Sequence, residues 1–153
     1  MSALYSLRRS VRTLLLEGAL WTADEVIIKR RTDIWNDVAV ATAASKAGQC
    51  LVIGVAKGNP SSAQKRGSKL VIMDVTIPIT MIELPTVDPA LPADGAATDE
   101  DSRWEAMVLR LQGDSLDRSA LHYELEFDGF EDVVDEDYVI RQTTFKTRLI
   151  LKK

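Results

Sequence analysis

The stretch "KLVIMDVTIPITMIEL", residues 69–84, constrains this chain more than any other. Val71, Met73, Val75, Ile77, Ile79 and Met81 occupy every second position, so all six point to one face of a strand. A strand of sixteen residues extends about 50 Å at ~3.3 Å each, too long for a small flat sheet. Pro78 has no N–H to donate, so the strand is expected to bend there or to run along an edge.

The segments around it have complementary periods. Leu4, Leu7, Val11, Leu14 and Leu15 recur at helical spacing, with Arg8, Arg9 and Arg12 largely opposite, and the helix ends near Gly18. The short β-branched "DEVIIKRR" reads as an edge strand. "DIWNDVAVATAASKA" reads as a second helix, capped by Thr32 or Asp33 and closed by Gly48. "QCLVIGVA", residues 49–56, is apolar at every parity and predicts a strand covered on both faces. Thr98 and Asp101 form a capping-box pattern ahead of a third helix with Trp104, Met107, Val108 and Leu111 as its apolar stripe. In "LHYELEFDGF", Leu121, Tyr123, Leu125 and Phe127 alternate with polar residues, and "YVIRQTTFKTRLILKK" closes with Phe145, Leu149 and Leu151 on one face.

The expected order is α-β-α-β-β-α-β-β. Strands with one apolar face need cover on one side only. The fold class is therefore α+β, a mainly antiparallel sheet with helices packed on one face and the other face polar. The 153 residues fit a single domain, 1–153. Two flexible segments interrupt it: a basic hairpin loop, 57–69, and a Pro/Ala-rich loop, 85–97.

Composition narrows the chemistry. A net charge of −4 argues against a protein that coats nucleic acid. One cysteine, Cys50, permits no internal disulfide and reads as a small core hydrophobe. No apolar stretch approaches the roughly 20 residues of a membrane span, so no membrane partner is expected. The opening helix carries arginines inside its apolar run, unlike a signal peptide. The chain is expected to stay in the cytoplasm unless it is built into something larger. His122 is the sole histidine and reads as a solvated or interface residue, because one His without Cys or a second His makes a poor transition-metal site. No glycine-rich phosphate loop, G-x-S-x-G or H-E-x-x-H occurs. The expectation is no enzyme, no cofactor, and neither catalytic nor metal residues.

Charge layout says more. Lys57, Lys65, Arg66 and Lys69 sit together without an acid, while segments 83–101 and 124–137 hold only acids among their charged residues. Such segregation suits head-to-tail packing of identical subunits, which forms a ring when the rotation closes. Lys57, Lys65, Arg66, Lys69, Asp132, Asp135 and Asp137 are the expected interface residues. Glu124, Glu126 and Asp128 should align along one strand about 6 to 7 Å apart. On a channel wall they would repel phosphates and let DNA slide.

Two rivals are concrete. Asp132, Asp135 and Asp137 could serve a small metal-dependent hydrolase, although the spacing is not that of an EF-hand loop. The four basic loop residues could hold duplex DNA, with a steep salt dependence.

The whole pattern resembles the tail-terminator and minor-tail proteins of long-tailed bacteriophages. The resemblance rests on "LYSLRRSVRTLLLEG", the Ala-rich helix ending at Gly48, "CLVIGVA", "LVIMDVTIPITMIEL", the Pro-rich bridge, "RWEAMVLRLQG" and the closing hairpin. It implies a structural virion protein at the head–tail junction, assembled from the host cytoplasm. Its form would be a hexameric ring that caps the tail tube and presents a head-joining surface. The implied partners are other copies of the chain, the tail tube protein, a head-completion or connector protein, and DNA passing without specific binding. Another head–tail connector or minor tail protein is the nearest alternative.

Overall fold

The computed structural model describes residues 2–18, 21–29, 49–83, 100–113, 124–134 and 139–152. The expected second helix, the Pro/Ala-rich loop, the Thr98 cap, His122, Asp135 and Asp137 lie outside these residues.

The described elements are α1 (Ala3–Glu17), β1 (Val26–Ile28), β2 (Gln49–Ile53), β3 (Lys57–Pro60), β4 (Leu70–Glu83), α2 (Glu100–Leu111), β5 (Glu126–Val134) and β6 (Val139–Lys152). The strands form one six-stranded sheet, ordered β1-β2-β4-β6-β5, with β3 also on β4. Every pairing is antiparallel except β1 with β2. This is the expected α+β fold. Its spine is the β4–β6 ladder, which runs in unbroken register from Leu70↔Lys152 to Glu83↔Val139.

Both described helices cover one face. Ser2 caps α1, its hydroxyl accepting from the Tyr5 N–H at 3.2 Å. Leu7, Val11 and Leu15, one turn apart, are buried against the sheet. From α2, Met107 and Leu111 are buried, with Trp104 and Val108 packed beside them. They meet Val75, Ile77, Ile79 and Met81 of β4 and Phe145 and Leu149 of β6. The period-two pattern of the long strand therefore points where expected. Val71 shares that face but is 48% exposed, because the strand runs past the helices into a projecting arm. Arg110 joins the two helices, donating to the Leu14 carbonyl at 3.2 Å and pairing with Glu17.

Pro78 is not at an edge. It sits inside the sheet, opposite Thr144 of β6. Its carbonyl accepts from the Gly54 N–H at 2.8 Å, so its nitrogen also faces the β2 side. That flank is where the ladder is already interrupted, between Ile53 of β2 and Lys57 of β3. The missing N–H therefore falls where β2 ends, opposite Gly54, whose carbonyl accepts from Arg8 Nη1 at 3.4 Å.

The outer face is not uniformly polar. Cys50, Val52 and Ile82 form a second buried cluster there, with Ile27 against it. All five residues of β2 are buried, as its doubly apolar sequence requires. Toward β6 the same face turns polar, with Gln142, Thr144 and Lys146.

Candidate functional site

Two surfaces carry the charged residues singled out above, and the β4–β6 ladder separates them. The first is the arm, formed by β3, the end of β4 that begins at Leu70, and the end of β6 that finishes at Lys152. The four residues Lys57–Pro60 at the start of the expected loop are a strand, paired with Thr76–Met73 of β4. Turns follow from Ser61 to Ser68. Gln64 seals the last rungs of β4, accepting from the Ile72 N–H at 2.6 Å and donating to the Leu70 carbonyl at 2.9 Å. Lys57, Lys65, Arg66 and Lys69 are all exposed on this arm, next to exposed Leu70 and Val71.

The second surface is β5. It begins at Glu126, later than the alternation in the sequence suggests, and continues through Glu131 and Asp132 to Val134. Those two acids are strand residues rather than part of a hairpin connection. A bulge between Phe127 and Gly129 shifts the register, and Gly129 takes φ +120°. Only glycine adopts that angle without strain, so the "DG" pair permits the bulge.

The bulge rearranges the expected acidic row. Glu124 precedes the strand, Glu126 lies opposite Lys146, and Asp128 at the bulge also reaches the Lys146 Nζ at 2.8 Å. The acids gather around one lysine instead of forming an even line. Glu124 and Glu126 line a shallow outer concavity with Asp74, Lys146, Thr147 and Arg148. Arg148 pairs with Asp74 at 2.9 Å across the concavity floor.

Asp132 faces the helix side. Its carboxylate accepts from both Nε (2.7 Å) and Nη2 (2.9 Å) of Arg141. That hydrogen bond holds the Asp132 carboxyl below its usual range. The Arg141 guanidinium also lies 5.0 Å from the ring centres of Trp104 and Phe130. Trp104 packs against Phe130 at 4.7 Å, and its indole N–H donates to the buried Thr143 hydroxyl at 2.9 Å. Phe130 remains 52% exposed and Val133 48% exposed, a pair the sequence reading did not single out.

Other expected sites have simple environments. Cys50 is fully buried, and burial together with the nearby Glu25 charge pushes its thiol pKa up to about 11. It is a core residue. Among the described residues no three His, Cys, Asp or Glu side chains gather as a metal site. Arg103, also missed in the sequence, lies 4.0 Å over the Trp21 ring and bonds Gln49 and Glu25, tying α2 to the β1–β2 end.

Neither a protein-family model nor a curated protein matches the sequence. Among solved structures, the fold matches a chain in the virion of a native gene transfer agent particle. The match has a TM-score of 0.62 at 15% identity and covers 99% of this chain and 100% of that one. At that identity the likeness establishes a common fold.

Proposed function

We propose that this chain is a structural virion protein. Specifically, it is a tail terminator whose copies form a hexameric ring, cap the tail tube and present the surface that joins the head. The observation that carries this reading is the end-to-end fold match with a virion chain, which spans 99% of this chain and 100% of that one. A subunit that works by fitting neighbours needs little beyond its own fold and complementary faces. The exposed basic arm and the acidic β5 strand, at opposite ends of the β4–β6 ladder, have the character that head-to-tail packing requires.

In this reading the protein is not an enzyme and needs no cofactor. Lys57, Lys65, Arg66, Lys69 and the acids near Asp132, including Asp135 and Asp137, serve contacts between subunits or with the tube. Glu124, Glu126 and Asp128 line the channel through which DNA passes without specific binding.

Mass photometry of the purified chain, alone and with isolated tail tubes, tests the proposal. Six-subunit species, or rings seen by electron microscopy on tube ends, are expected. Rings that bind the head-side connector but ignore tube ends would reassign the chain to the connector. A strictly monomeric chain that binds neither would overturn the reading.

A further inference from the structure

Among the described residues the sheet edges are unequally protected. At β1 the Val26 carbonyl, which faces away from β2, is covered by Arg12 Nε at 3.0 Å. At β3, Pro60 offers no N–H, and beyond it Gln64 seals β4. The start of β5 is plugged where Gln112 accepts from the Phe127 N–H at 2.7 Å.

The rest of β5 differs. Because Pro78 directs its backbone groups toward β2, its partner Thr144 directs its own toward β5, where it meets Gly129. Alternation then turns the N–H and C=O of Phe130 and Asp132 outward, away from β6. Exposed Phe130 and Val133 flank this stretch. An edge that couples outward backbone groups to exposed apolar side chains is suited to a partner.

The geometry points to the basic arm of a second copy as that partner, an inference that rests on the ring reading above. The free length of β5, residues 130–134, holds two acids (Glu131, Asp132) and no base. The arm, residues 57–76, holds four bases (Lys57, Lys65, Arg66, Lys69) against one acid, Asp74. Each surface also carries two exposed hydrophobes: Phe130 and Val133 on the edge, Leu70 and Val71 on the arm. Burial of these four supplies affinity, while charge sets register and selectivity. Lysine and arginine side chains of the arm can donate to the outward carbonyls of Phe130 and Asp132.

The free length of β5 and the tip of the arm cannot meet within one molecule. Val133 pairs with Ile140 at one end of β6, and Leu70 pairs with Lys152 at the other. Those ends are about 40 Å apart at ~3.3 Å per residue. The contact is therefore between copies, and it is heterologous, since each copy has one arm and one edge.

A mixing experiment tests this. The arm variant carries Lys65→Glu, Arg66→Glu and Lys69→Glu. The edge variant carries Glu131→Lys and Val133→Lys. All five side chains are exposed, and circular dichroism melting checks that each variant stays folded. At a concentration where the wild type forms rings, each variant alone should lose at least tenfold of its ring population. An equimolar mixture should regain species larger than either variant forms alone, because the intact arm of one variant meets the intact edge of the other and the reversed arm and reversed edge are again opposite in charge. Variants that assemble like the wild type, or a mixture that stays monomeric, would overturn the arm–edge contact while leaving the ring reading in place. A wild type that forms no larger species, alone or on tube ends, would overturn both.

Discussion

Gly54 and Pro78 meet so closely that a Cβ on Gly54 would stand 2.7 Å from the Pro78 Cγ and 3.2 Å from its carbonyl oxygen. The same two residues share the hydrogen bond that closes β2. Proline in a central strand and glycine on its neighbour thus form one device. The ring occupies the space a side chain would need, and the absent N–H falls opposite Gly54, where β2 ends.

Gly54→Ala should therefore destabilise the fold by about 1–3 kcal/mol through overpacking. Thermal melting should register roughly 2–4 °C for each kcal/mol in a chain of this size. Adding Pro78→Ala removes the ring, so the double variant should be less destabilised than the sum of the two single changes. Strict additivity would show that the contact is not the source of the cost.

The Thr143 hydroxyl accepts from the Trp104 indole N–H, and its side chain is buried. Thr143→Val should cost about 1–3 kcal/mol by leaving that donor unsatisfied, whereas Thr143→Ser keeps the hydroxyl and should lose less. Urea unfolding followed by tryptophan fluorescence would rank the two. Equal losses would mean that the methyl group, and not the hydrogen bond, matters at this site.

Two groups give opposite limbs to the pH dependence. The Asp132 carboxyl is lowered by its hydrogen bond from Arg141. Its contribution is present above the unfolded carboxylate value of about 3.9 and is lost as pH falls through the folded value. With the Asp132 side chain 41% exposed, that contribution is about 0.2–1 kcal/mol. Asp132→Asn should cost this much at neutral pH, and the difference from wild type should close in acid. Cys50 acts in the other direction. Its stabilisation is full below the unfolded thiol value of about 8.5 and is lost as pH rises through about 11. Cys50→Ala should flatten the alkaline limb, and the native thiol should resist alkylation until the chain unfolds.

Reversing Glu124 and Glu126 to lysine should reduce DNA delivery by particles assembled from the variant, if the outer face of β5 lines the channel. Glu126 already lies opposite Lys146, so the double change leaves a basic surface where phosphates pass. DNA delivery counted as transductants per particle is the readout. Unchanged delivery by normally assembled particles would place the channel wall elsewhere.

The local pattern made much of the sheet legible. Alternation along β4 marks the buried face, and the doubly apolar β2 marks a strand with cover on both sides. What stayed hidden depends on contacts between distant residues. Arg8 and Arg12 look like the solvated face of α1, yet they reach the carbonyls of Lys29 and Val26. A long side chain's destination is set by what the fold brings near it, not by helical period. The placement of Pro78 could not be read because its neighbour's break lies more than twenty residues away. The acidic segment was visible as charge, but its pairing with Lys146 and Arg141 follows from strand register and from the bulge at Gly129. That bulge also ended the alternation that seemed to run cleanly from Leu121.

β6 comes last among the described strands, yet it lies between β4 and β5. Until it forms, β4 lacks one flank and β5 lacks its strand neighbour, so the far side of the sheet waits on this segment. Contacts between positions so far apart along the chain slow the search for the native state. Residues 139–152 must therefore emerge before β4 and β5 can be joined, which ties completion of the sheet to the speed of one late zippering step.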